Sequence, residues 1–507
     1  GRELVPVAVH DPRAGGGYAV SKWSPVIDKD DYESIFCAVK ERIENGEANQ
    51  VELTFPLRAA FTGSADVFYN DLVCAQRPGY ASHLWHDNVH VLSVSPERFF
   101  TFDDGVVTVQ PMKGVAARGR WLAEDDMHRD ALAASGEDRS DNRMVVDLVR
   151  KELSRIAIPG TVEVDDLFTV EQFRTGWQMS STITAVTRED TGLLDVFDTL
   201  FPSGTATGDP KAGSMKIIAD LEPSPRGIYC GTIGYIPPGD GLEGASFNVA
   251  IRTVEVDEAE GVATYGVGAA ITRHSTVDEE FDEAVTTSEV LRFNVSPLQL
   301  IETIRWDDGW LWLDDHLDRM ERSASYWGFK VDRYEIIEML DEAVSTCSGP
   351  MLIRIVAQPD GSVFVTSEPT HERWSPGPGP SADPVLLALD LEPIDSRNPR
   401  IFHKTSDRRS FAVRSERHPG CDDVLLINRH GQVTESTVAN VAFRIDERWV
   451  TPPVTDGLLA GVMRNRLVAS GTLEERSVSI REALDADVVA LVSSVHGWRP
   501  AVLVEHS

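Results

Sequence analysis

The size and order of the predicted helices and strands change at residues 293–297, Phe-Asn-Val-Ser-Pro, and this boundary limits what the chain can fold into. Before it, long strand-like segments alternate with long helical ones, whereas strand, helix and helix follow on a smaller scale after it. A chain of 507 residues is also too long for one ordinary hydrophobic core. We therefore expect two domains, residues 1–293 and residues 298–507, with a Pro-Gly linker at 375–380 inside the second.

The first half combines strand pairs with covering helices, which predicts an α+β fold built as an antiparallel β-sandwich. Apolar residues at helical spacing predict helices at 31–45, 122–156, 192–200, 211–221 and 276–291. Extended patterns predict strands at 3–9, 50–55, 89–93, 99–102, 106–110, 161–164, 228–236, 246–256 and 262–268. In the second half the same spacing predicts helices at 316–327 and 334–346.

Charge and cysteine content exclude several classes of protein. The balance of 81 acidic against 48 basic residues gives a formal charge of −33, which argues against nucleic acid and anionic membranes as partners. The five cysteines are scattered and lack metal-ligand spacing, which is typical of a reducing cytoplasm. No apolar run approaches the roughly 20 residues of a membrane span, and no signal peptide is recognised. We expect a soluble cytoplasmic protein.

A lysine and an acid in the second half form the pair that pyridoxal phosphate chemistry needs. Lys404 lies in a short mixed segment, His-Lys-Thr-Ser-Asp-Arg, and Glu435 follows a turn at His430-Gly431 about thirty residues later. In such chemistry a lysine amine carries the cofactor as a Schiff base, while a carboxylate keeps the pyridine nitrogen protonated.

Three segments in this order, HKTSDR, DDVLLINRHGQVTESTVANVAF and GLLAGVMRNRLV, make residues 298–504 resemble the fold-type IV pyridoxal phosphate enzymes. These include branched-chain and D-amino acid aminotransferases and aminodeoxychorismate lyase, and the resemblance implies a two-subdomain class IV aminotransferase-like fold. It implies that Lys404 carries the cofactor and that Glu435 faces the pyridine nitrogen. The phosphate would be held by Arg319 and by backbone N–H groups of Gly461 and Val462 at a helix N-terminus.

Seven segments make residues 50–291 resemble the chorismate-utilising family, which includes anthranilate, aminodeoxychorismate, isochorismate and salicylate synthases. They begin with SPERF at 95–99, PMKG at 111–114, MVVDL at 144–148 and STIT at 181–184. TGDPK at 207–211, CGTIGY at 230–235 and IRT at 251–253 follow.

The resemblance assigns the chemistry of the first half to two residues. Anthranilate synthases carry a small residue where this chain has Lys113, whereas aminodeoxychorismate, isochorismate and salicylate synthases carry the lysine. In the para-aminating members the lysine attacks C2 of chorismate while a glutamate, here Glu97, acts as general acid and base at the C4 hydroxyl. Because only a neutral amine attacks, we expect the pKa of Lys113 to be depressed.

Metal and substrate ligands are also implied by the resemblance. The family holds the ring carboxylate through Mg²⁺, and Glu280 and Glu283 lie three residues apart on one helix face, with Asp141 at the position of a third family ligand. The residues implied in binding chorismate itself are Tyr235, Arg252, Gly268 and Lys211.

Several positions depart from the family pattern and leave an altered or lost reaction open as an alternative. Asp141 replaces a glutamate and Gln178 replaces a histidine, while Asp209 adds a negative charge. Ala269 and Ala270 replace two glycines, which adds methyl groups where a ligand would approach the backbone.

The two halves fit one route. Amination of chorismate at C4 gives 4-amino-4-deoxychorismate, whose amine and adjacent enolpyruvyl ether are what a pyridoxal phosphate lyase needs to release pyruvate and 4-aminobenzoate. The sequence has no glutaminase motif with a cysteine nucleophile, so we expect a separate glutamine amidotransferase subunit or free ammonia. By resemblance we also expect a homodimer. The alternatives are a hydrating isochorismate- or salicylate-type front half, amination at C2, and a non-catalytic front half beside an active lyase or transaminase.

Overall fold

The computed structural model divides the chain into two compact units. The first contains Gly1–Arg118 and His128–Val295, and the second contains Gly119–Met127 and Ser296–Ser507. The structure describes residues 17–239, 241–292, 298–345, 347–379 and 383–504. The predicted strand at 3–9 and the predicted break at 293–297 lie outside the described residues.

The first unit is built from two sheets and their covering helices. Its strands are β1 (Tyr18–Val20), β2 (Ser24–Pro25), β3 (Gln50–Gly63), β4 (Tyr80–His86), β5 (Val89–Ser95), β6 (Arg98–Asp103), β7 (Val106–Gln110), β8 (Met112–Ala116), β9 (Glu163–Phe173), β10 (Gly176–Val186), β11 (Gly208–Asp209), β12 (Thr232–Tyr235), β13 (Ala245–Val249), β14 (Thr253–Asp257) and β15 (Val262–Thr272). Its helices are α1 (Lys29–Glu44), α2 (Ala65–Gln76), α3 (Leu122–Ala134, whose residues up to Met127 count with the second unit), α4 (Gly136–Leu153), α5 (Leu193–Leu200), α6 (Lys211–Leu221) and α7 (Val277–Thr286), with 3-10 turns at Gly204–Ala206 and Thr287–Arg292.

The long strand β3 organises the first sheet, which runs β1-β3-β15-β14-β5-β4, with β2 and β11 also on β3. Strand β15 pairs with β3 from Val262↔Ala60 to Thr272↔Gln50. Alternate β3 side chains, from Val51 to Phe61, pack into the hydrophobic core beneath α1 and α2. Because neighbouring side chains on a strand point to opposite faces, Glu52 points away from that core.

The second sheet of this unit runs β12-β13-β6-β7-β10-β8, with β9 beside β10. Its own core is formed where β6, β7 and β10 pack against α4 and α5, and Phe100, Ile183 and Leu153 are fully enclosed there. Residues of β8 and of the start of β10 instead line the space between the two sheets.

The second unit has a small and a large sheet. Its strands are β16 (Leu300–Trp306), β17 (Met351–Ala357), β18 (Val363–Pro369), β19 (Val385–Leu389), β20 (Asp423–Ile427), β21 (Val433–Ser436), β22 (Asn440–Ile445), β23 (Arg448–Thr451), β24 (Glu474–Glu475), β25 (Val488–Ser493) and β26 (Gly497–Leu503). Its helices are α8 (Leu313–Trp327), α9 (Arg333–Val344), α10 (Arg409–Arg417), α11 (Val462–Ala469) and α12 (Ile480–Leu484), with 3-10 turns at Pro399–Phe402 and Val454–Asp456.

Strands β16-β17-β18 form the small antiparallel sheet, and the large sheet runs β21-β20-β19-β26-β25-β22-β23-β24. Strand β19 pairs in parallel with both β20 and β26, which makes the large sheet mixed. Its core includes Leu387, Leu425 and Phe443, all fully enclosed. Among the described residues, no helix is both long and apolar enough to cross a bilayer.

The predicted α+β class is confirmed, and the main differences are local. The helix predicted at 122–156 is broken before Gly136, because the Ser135 hydroxyl accepts a hydrogen bond from the Asp138 N–H and starts a second helix. The strand predicted at 246–256 is broken between β13 and β14, where Arg252 adopts a left-handed φ of 49°. Helix α2 was not predicted from the sequence.

The large-sheet core of the second unit gives a stability prediction. Phe443 is fully buried in it, so Phe443→Ala should lower the free energy of unfolding by about 3–5 kcal/mol through lost burial and the cavity left behind. Phe364→Ala, on a strand of the same unit but with the side chain 52% exposed, is the matched control and should change stability far less. Denaturant unfolding of both variants checks this, and equal losses would contradict it.

Candidate active sites

A cavity of about 260 Å³ lies between the two sheets of the first unit. It is lined from both sides, by Glu52 on β3, Lys113 on β8, Gln178 on β10 and Gly266 and Gly268 on β15. Strand β15 also adds Tyr265, while loops, the 3-10 turn at Gly204–Ala206 and helix α7 add Glu97, Thr205, Tyr229, Arg252 and Glu283. The structure therefore brings Lys113, Glu97, Arg252, Gly268 and Glu283, all predicted from sequence, to one enclosed space.

Lys113 lies among acids. Its Nζ is 3.9 Å from Oε2 of Glu52, and its backbone carbonyl accepts a hydrogen bond of 3.1 Å from Asn142. Burial lowers the pKa of Lys113, but neighbouring carboxylates outweigh burial and leave the pKa raised. These carboxylates belong to Glu52, Glu283, Asp141 and Glu280. The expected depression of the lysine pKa is therefore wrong for the free enzyme, because the sequence did not show how many acids surround the amine.

Glu97 has the properties of a general acid at neutral pH. Its buried side chain accepts a hydrogen bond of 2.7 Å from the Thr205 hydroxyl. Burial is the largest influence and raises the pKa of Glu97 to about 7, although this hydrogen bond and one from the Met112 backbone oppose the shift. A carboxyl group with a pKa near the operating pH can both give and take a proton.

Arg252 presents an unsatisfied cation to the same cavity. Its left-handed backbone conformation turns the chain between β13 and β14, and its Nη1 is buried without a hydrogen-bond partner. Burial lowers the pKa of Arg252, which shows that the guanidinium lacks full compensation. A buried guanidinium of this kind is suited to a carboxylate ligand.

Of the predicted metal ligands, Glu283 lines the cavity and Glu280 lies near Glu283 but outside the lining. Burial is the main cause that raises the pKa of Glu280 to about 7, and Glu283 adds to the shift. Asp141 is half-buried and lies outside the residues that line the cavity. Among the described residues, no group of three or more His, Cys, Asp or Glu side chains is arranged to hold a metal ion. The carboxylate oxygens are nonetheless the donors that Mg²⁺ prefers.

Two predicted substrate ligands are not in the cavity. Lys211 starts helix α6 and pairs with Glu152 at 2.6 Å, while its Nζ also donates to the Leu200 carbonyl at 2.8 Å. Tyr235, at the end of β12, is 54% exposed. The structure places the half-buried Tyr229 and the buried Tyr265 in the cavity instead.

Most of the departures from the family pattern lie away from the cavity lining. Ala269 points into the hydrophobic core behind β15, and Ala270 is buried outside the lining. The Asp209 carboxylate accepts a hydrogen bond of 2.8 Å from Asn49. Gln178 does line the cavity, and its buried Oε1 has no hydrogen-bond partner.

The second unit has its own small cavity, which Lys404 and Glu435 both line. The backbone of Lys404 is fixed to the small sheet, since its carbonyl accepts a 2.8 Å hydrogen bond from the Ile301 N–H. Burial and then Arg319 are the largest influences that lower the pKa of Lys404 to about 8, with Arg408 and Arg354 adding to them. The lysine is therefore substantially neutral at slightly alkaline pH.

Glu435 is the buried acid opposite this lysine. Its two carboxylate oxygens accept hydrogen bonds of 3.2 Å from the Leu459 N–H and the Asn440 amide. Burial raises the pKa of Glu435 to about 8 despite the Leu459 hydrogen bond and three nearby cations. Such a carboxyl group needs a cationic partner to stay ionised, which a protonated pyridine nitrogen provides.

Arg319 is already engaged by an acid that the sequence did not single out. It forms two hydrogen bonds of 2.7 Å with the buried Glu302, which also accepts one from His316 at 2.8 Å. Burial opposes ionisation, but Arg319 and His316 hold the pKa of Glu302 well below its usual range. The phosphate role of Arg319 stays a prediction, and Arg319 lies close enough to lower the lysine pKa.

The predicted helix N-terminus is present. Gly461 precedes α11 and has no capping side chain, and a Cβ at this position would lie 2.0 Å from Oδ1 of Asn440. Neither Gly461 nor Val462 lines the small cavity, so their phosphate role also stays a prediction.

The half-buried Lys404, the buried carboxyl group of Glu435 and the surrounding arginines are the donor set that pyridoxal phosphate needs. The cavity encloses only about 40 Å³, so the side chains must separate to admit the ring.

Several residues that line or surround these cavities were not predicted from the sequence. In the first cavity they are Glu52, Thr205, Tyr229 and Tyr265, and in the second unit they are Glu302, Arg354 and Arg408. Apolar residues occupy the odd-numbered positions of β3, whereas Glu52 has an even number. This alternation could have predicted that Glu52 lies on the opposite face of the strand, toward the cavity.

Comparison with known proteins agrees with this architecture. Residues 7–292 match the family model described as chorismate binding enzyme, which is more than half of the chain. The chain belongs to this family. Residues 299–504 match the model for class IV amino-transferases, so a chorismate-binding half is joined to a class IV aminotransferase half.

Similar proteins match the first half. Aminodeoxychorismate synthase component 1 of Escherichia coli is 33% identical over 263 residues, 52% of this chain and 57% of that protein. Aminodeoxychorismate synthase of Streptomyces griseus is 38% identical over 268 residues, 52% of this chain and 36% of that protein. The chain thus spans about half or less of the length of these relatives. The menaquinone-specific isochorismate synthase of E. coli, 21% identical, shares the fold over 56% of this chain and 65% of its own, with a TM-score of 0.50.

The acids around Lys113 give a prediction about its proton. Glu52 raises the pKa of Lys113, so Glu52→Gln should lower that pKa. The rate of labelling of Lys113 by an amine reagent, followed by peptide mass spectrometry across pH, should then reach half its maximum at a lower pH than in wild type. Glu163→Gln, an exposed acid on β9 of the same unit, should leave the profile unchanged. An unchanged profile in Glu52→Gln would show that Glu52 does not set the lysine charge.

Proposed function

We propose that the chain makes 4-aminobenzoate from chorismate in two steps, one in each unit. The observation that carries the proposal is a mostly enclosed lysine in a cavity of each unit, with an acid of pKa about 7 beside the first and about 8 beside the second. The similarity of the first half to aminodeoxychorismate synthases supports amination at C4. The class IV match of the second half supports the lyase step.

In the first step, ammonia replaces the C4 hydroxyl of chorismate and water is released. Glu97, with a pKa near 7, protonates the departing hydroxyl while Lys113 attacks C2. Ammonia then adds at C4 and expels the lysine. Before the attack the lysine must lose a proton, and Oε2 of Glu52, which is 3.9 Å away and has no hydrogen-bond partner, would receive it. Arg252 holds a substrate carboxylate.

Mg²⁺ is part of the same proposal. Glu280 and Glu283 would hold it, and the ion would neutralise the ring carboxylate of the substrate. The raised pKa of Glu280, caused mainly by burial and then by Glu283, indicates acids that lack a compensating cation.

In the second step, 4-amino-4-deoxychorismate loses pyruvate and becomes aromatic. Bound pyridoxal phosphate supplies an electron sink for the C4–H bond electrons. Lys404, with its lowered pKa, takes the proton from C4 and returns a proton to the methylene carbon of the departing enolpyruvate. Glu435 would hold the ring nitrogen of the cofactor in its protonated form. Every atom of the intermediate is recovered in 4-aminobenzoate and pyruvate.

Ammonia, assembly and location complete the proposal. A glutamine amidotransferase subunit or free ammonia supplies the nitrogen, and activity with glutamine alone would contradict the need for either.

The chain forms a homodimer, which a monomer in light scattering at micromolar concentration would contradict. It acts in the cytoplasm, where its five free cysteines stay reduced, and recovery from an oxidising compartment would contradict this.

Substitution of each lysine separates the two steps. With chorismate, Mg²⁺, ammonium and pyridoxal phosphate, Lys404→Ala should accumulate 4-amino-4-deoxychorismate. Lys113→Ala should leave chorismate unconverted yet still cleave supplied 4-amino-4-deoxychorismate. Each affected step should slow by more than about a thousandfold, as expected when a nucleophile or base is removed.

Mass spectrometry of the products reads out both steps, and Lys22→Ala, at an exposed site, is the control. Wild-type enzyme that leaves chorismate unchanged but cleaves the supplied intermediate would disprove the first step alone.

The metal role can be tested without turnover. Mg²⁺ should raise the thermal unfolding midpoint of wild type, because an ion that binds the folded state stabilises it. Glu283→Gln should abolish most of this increase, while Glu163→Gln on the exposed part of β9 should retain it. An increase that is equal in all three proteins would rule out the site.

A further inference from the structure

The two chain segments on either side of Lys404 are held in different ways. On the C-terminal side, main-chain hydrogen bonds fix the segment beside the start of β16, since Thr405 forms a bridge with Leu300 and the Ser406 N–H donates to the Gln299 carbonyl at 2.9 Å. On the N-terminal side, side-chain packing holds Phe402 and His403. The His403 ring lies 4.5 Å from the Tyr326 ring, and its Nδ1 is 2.9 Å from the Ser323 hydroxyl.

Residues 119–127, which belong to the second unit although they are distant in sequence, pack on this N-terminal side. The Gly119 carbonyl accepts a hydrogen bond of 2.6 Å from the Tyr326 hydroxyl. The Trp121 ring lies 5.1 Å from the Phe402 ring, and Phe402 is two residues before Lys404. Trp121 also packs against the apolar cluster that contains Ile401.

Arg120 joins this packing to the loop that holds Glu435. Its guanidinium lies 4.7 Å from the Trp121 ring and 5.4 Å from the Phe402 ring. It also donates to the Thr455 carbonyl at 3.3 Å. Thr455 is four residues before Leu459, whose N–H donates to Glu435. The Arg120 side chain thus contacts both the segment that precedes Lys404 and the loop whose Leu459 N–H binds Glu435.

The segment is itself fixed in place. Glu124 binds the Arg120 guanidinium through two hydrogen bonds of 2.8 and 3.0 Å, and the Gly119 N–H donates to the buried Asp125 carboxylate at 2.8 Å. A Cβ on Gly119 would lie 2.1 Å from the Asp125 nitrogen, so this tight turn requires glycine. The conformation of the segment is determined by its own residues.

We propose that residues 119–127 are a positioning element for the second site, with Trp121 and Arg120 fixing the segment that carries Lys404 and the loop that holds Glu435. Residues 296–507 alone would then lack part of the support of their own site. The inference rests on the proposed role of Lys404, and neither Trp121 nor Arg120 touches the reacting atoms.

The test compares Trp121→Ala with Trp121→Phe in the full-length chain. In Trp121→Ala, the pH at which Lys404 is half-labelled by an amine reagent, measured without added cofactor, should shift from the wild-type value. With cofactor, the pH titration of its absorbance should shift as well. The kcat for cleavage of supplied 4-amino-4-deoxychorismate should fall about tenfold with little change in KM, as small misplacements of catalytic groups produce. Trp121→Phe should restore all three, because an aromatic ring still contacts Phe402.

Trp85→Ala is the matched control, since Trp85 is 71% exposed in the first unit, and it should change none of these readouts. A Trp121→Ala protein with a lower unfolding midpoint but wild-type labelling, titration and kcat would overturn the inference and leave only a structural role. If wild-type enzyme fails to cleave the intermediate, the proposed function fails, yet the labelling and titration still decide the positioning role, because neither needs a substrate.

Discussion

Enclosing a lysine amine in a protein costs free energy unless nearby acids pair with its charge or its pKa falls so that it loses the proton. The first unit of this chain shows the former arrangement and the second unit shows the latter. Around Lys113, carboxylates outweigh the effect of burial and raise the lysine pKa. Around Lys404, burial and arginines act together and lower the pKa to about 8. The first site therefore favours a protonated lysine among acids, whereas the second makes the neutral amine easier to form.

The fold produces these opposite environments with simple devices. Alternation along β3 sends its odd residues into the core and leaves Glu52 facing Lys113. The left-handed turn at Arg252 directs a guanidinium into the same cavity. In the second unit, Glu302 holds Arg319 by two hydrogen bonds, which keeps a positive charge close to Lys404 at a fixed position. Each of these features is set by residues close together in the sequence, but it influences the environment of a lysine only after the sheets have formed.

Much of the fold and several residues of the two cavities were predictable from sequence, and the failures have physical causes. Motif order singled out Lys113 and Glu97, which line the first cavity, and Lys404 and Glu435, which line the second, because these residues lie in distinctive segments. Lys211 and Tyr235 lie in equally distinctive segments, yet one pairs with an acid and the other faces solvent. The charge on Lys113 and the packing of residues 119–127 depend on contacts between distant segments, which neither spacing nor periodicity encodes.

The two-step route is tested most directly by following nitrogen from ¹⁵N-ammonium through the wild-type enzyme supplied with chorismate, Mg²⁺ and pyridoxal phosphate. We expect 4-aminobenzoate that carries one ¹⁵N atom, together with an equal amount of pyruvate. Label in 2-aminobenzoate would show that amination occurs at C2. Unlabelled isochorismate or salicylate would show that water, not ammonia, attacks. Either result would contradict the assignment of Lys113 and Lys404 to consecutive steps of one route.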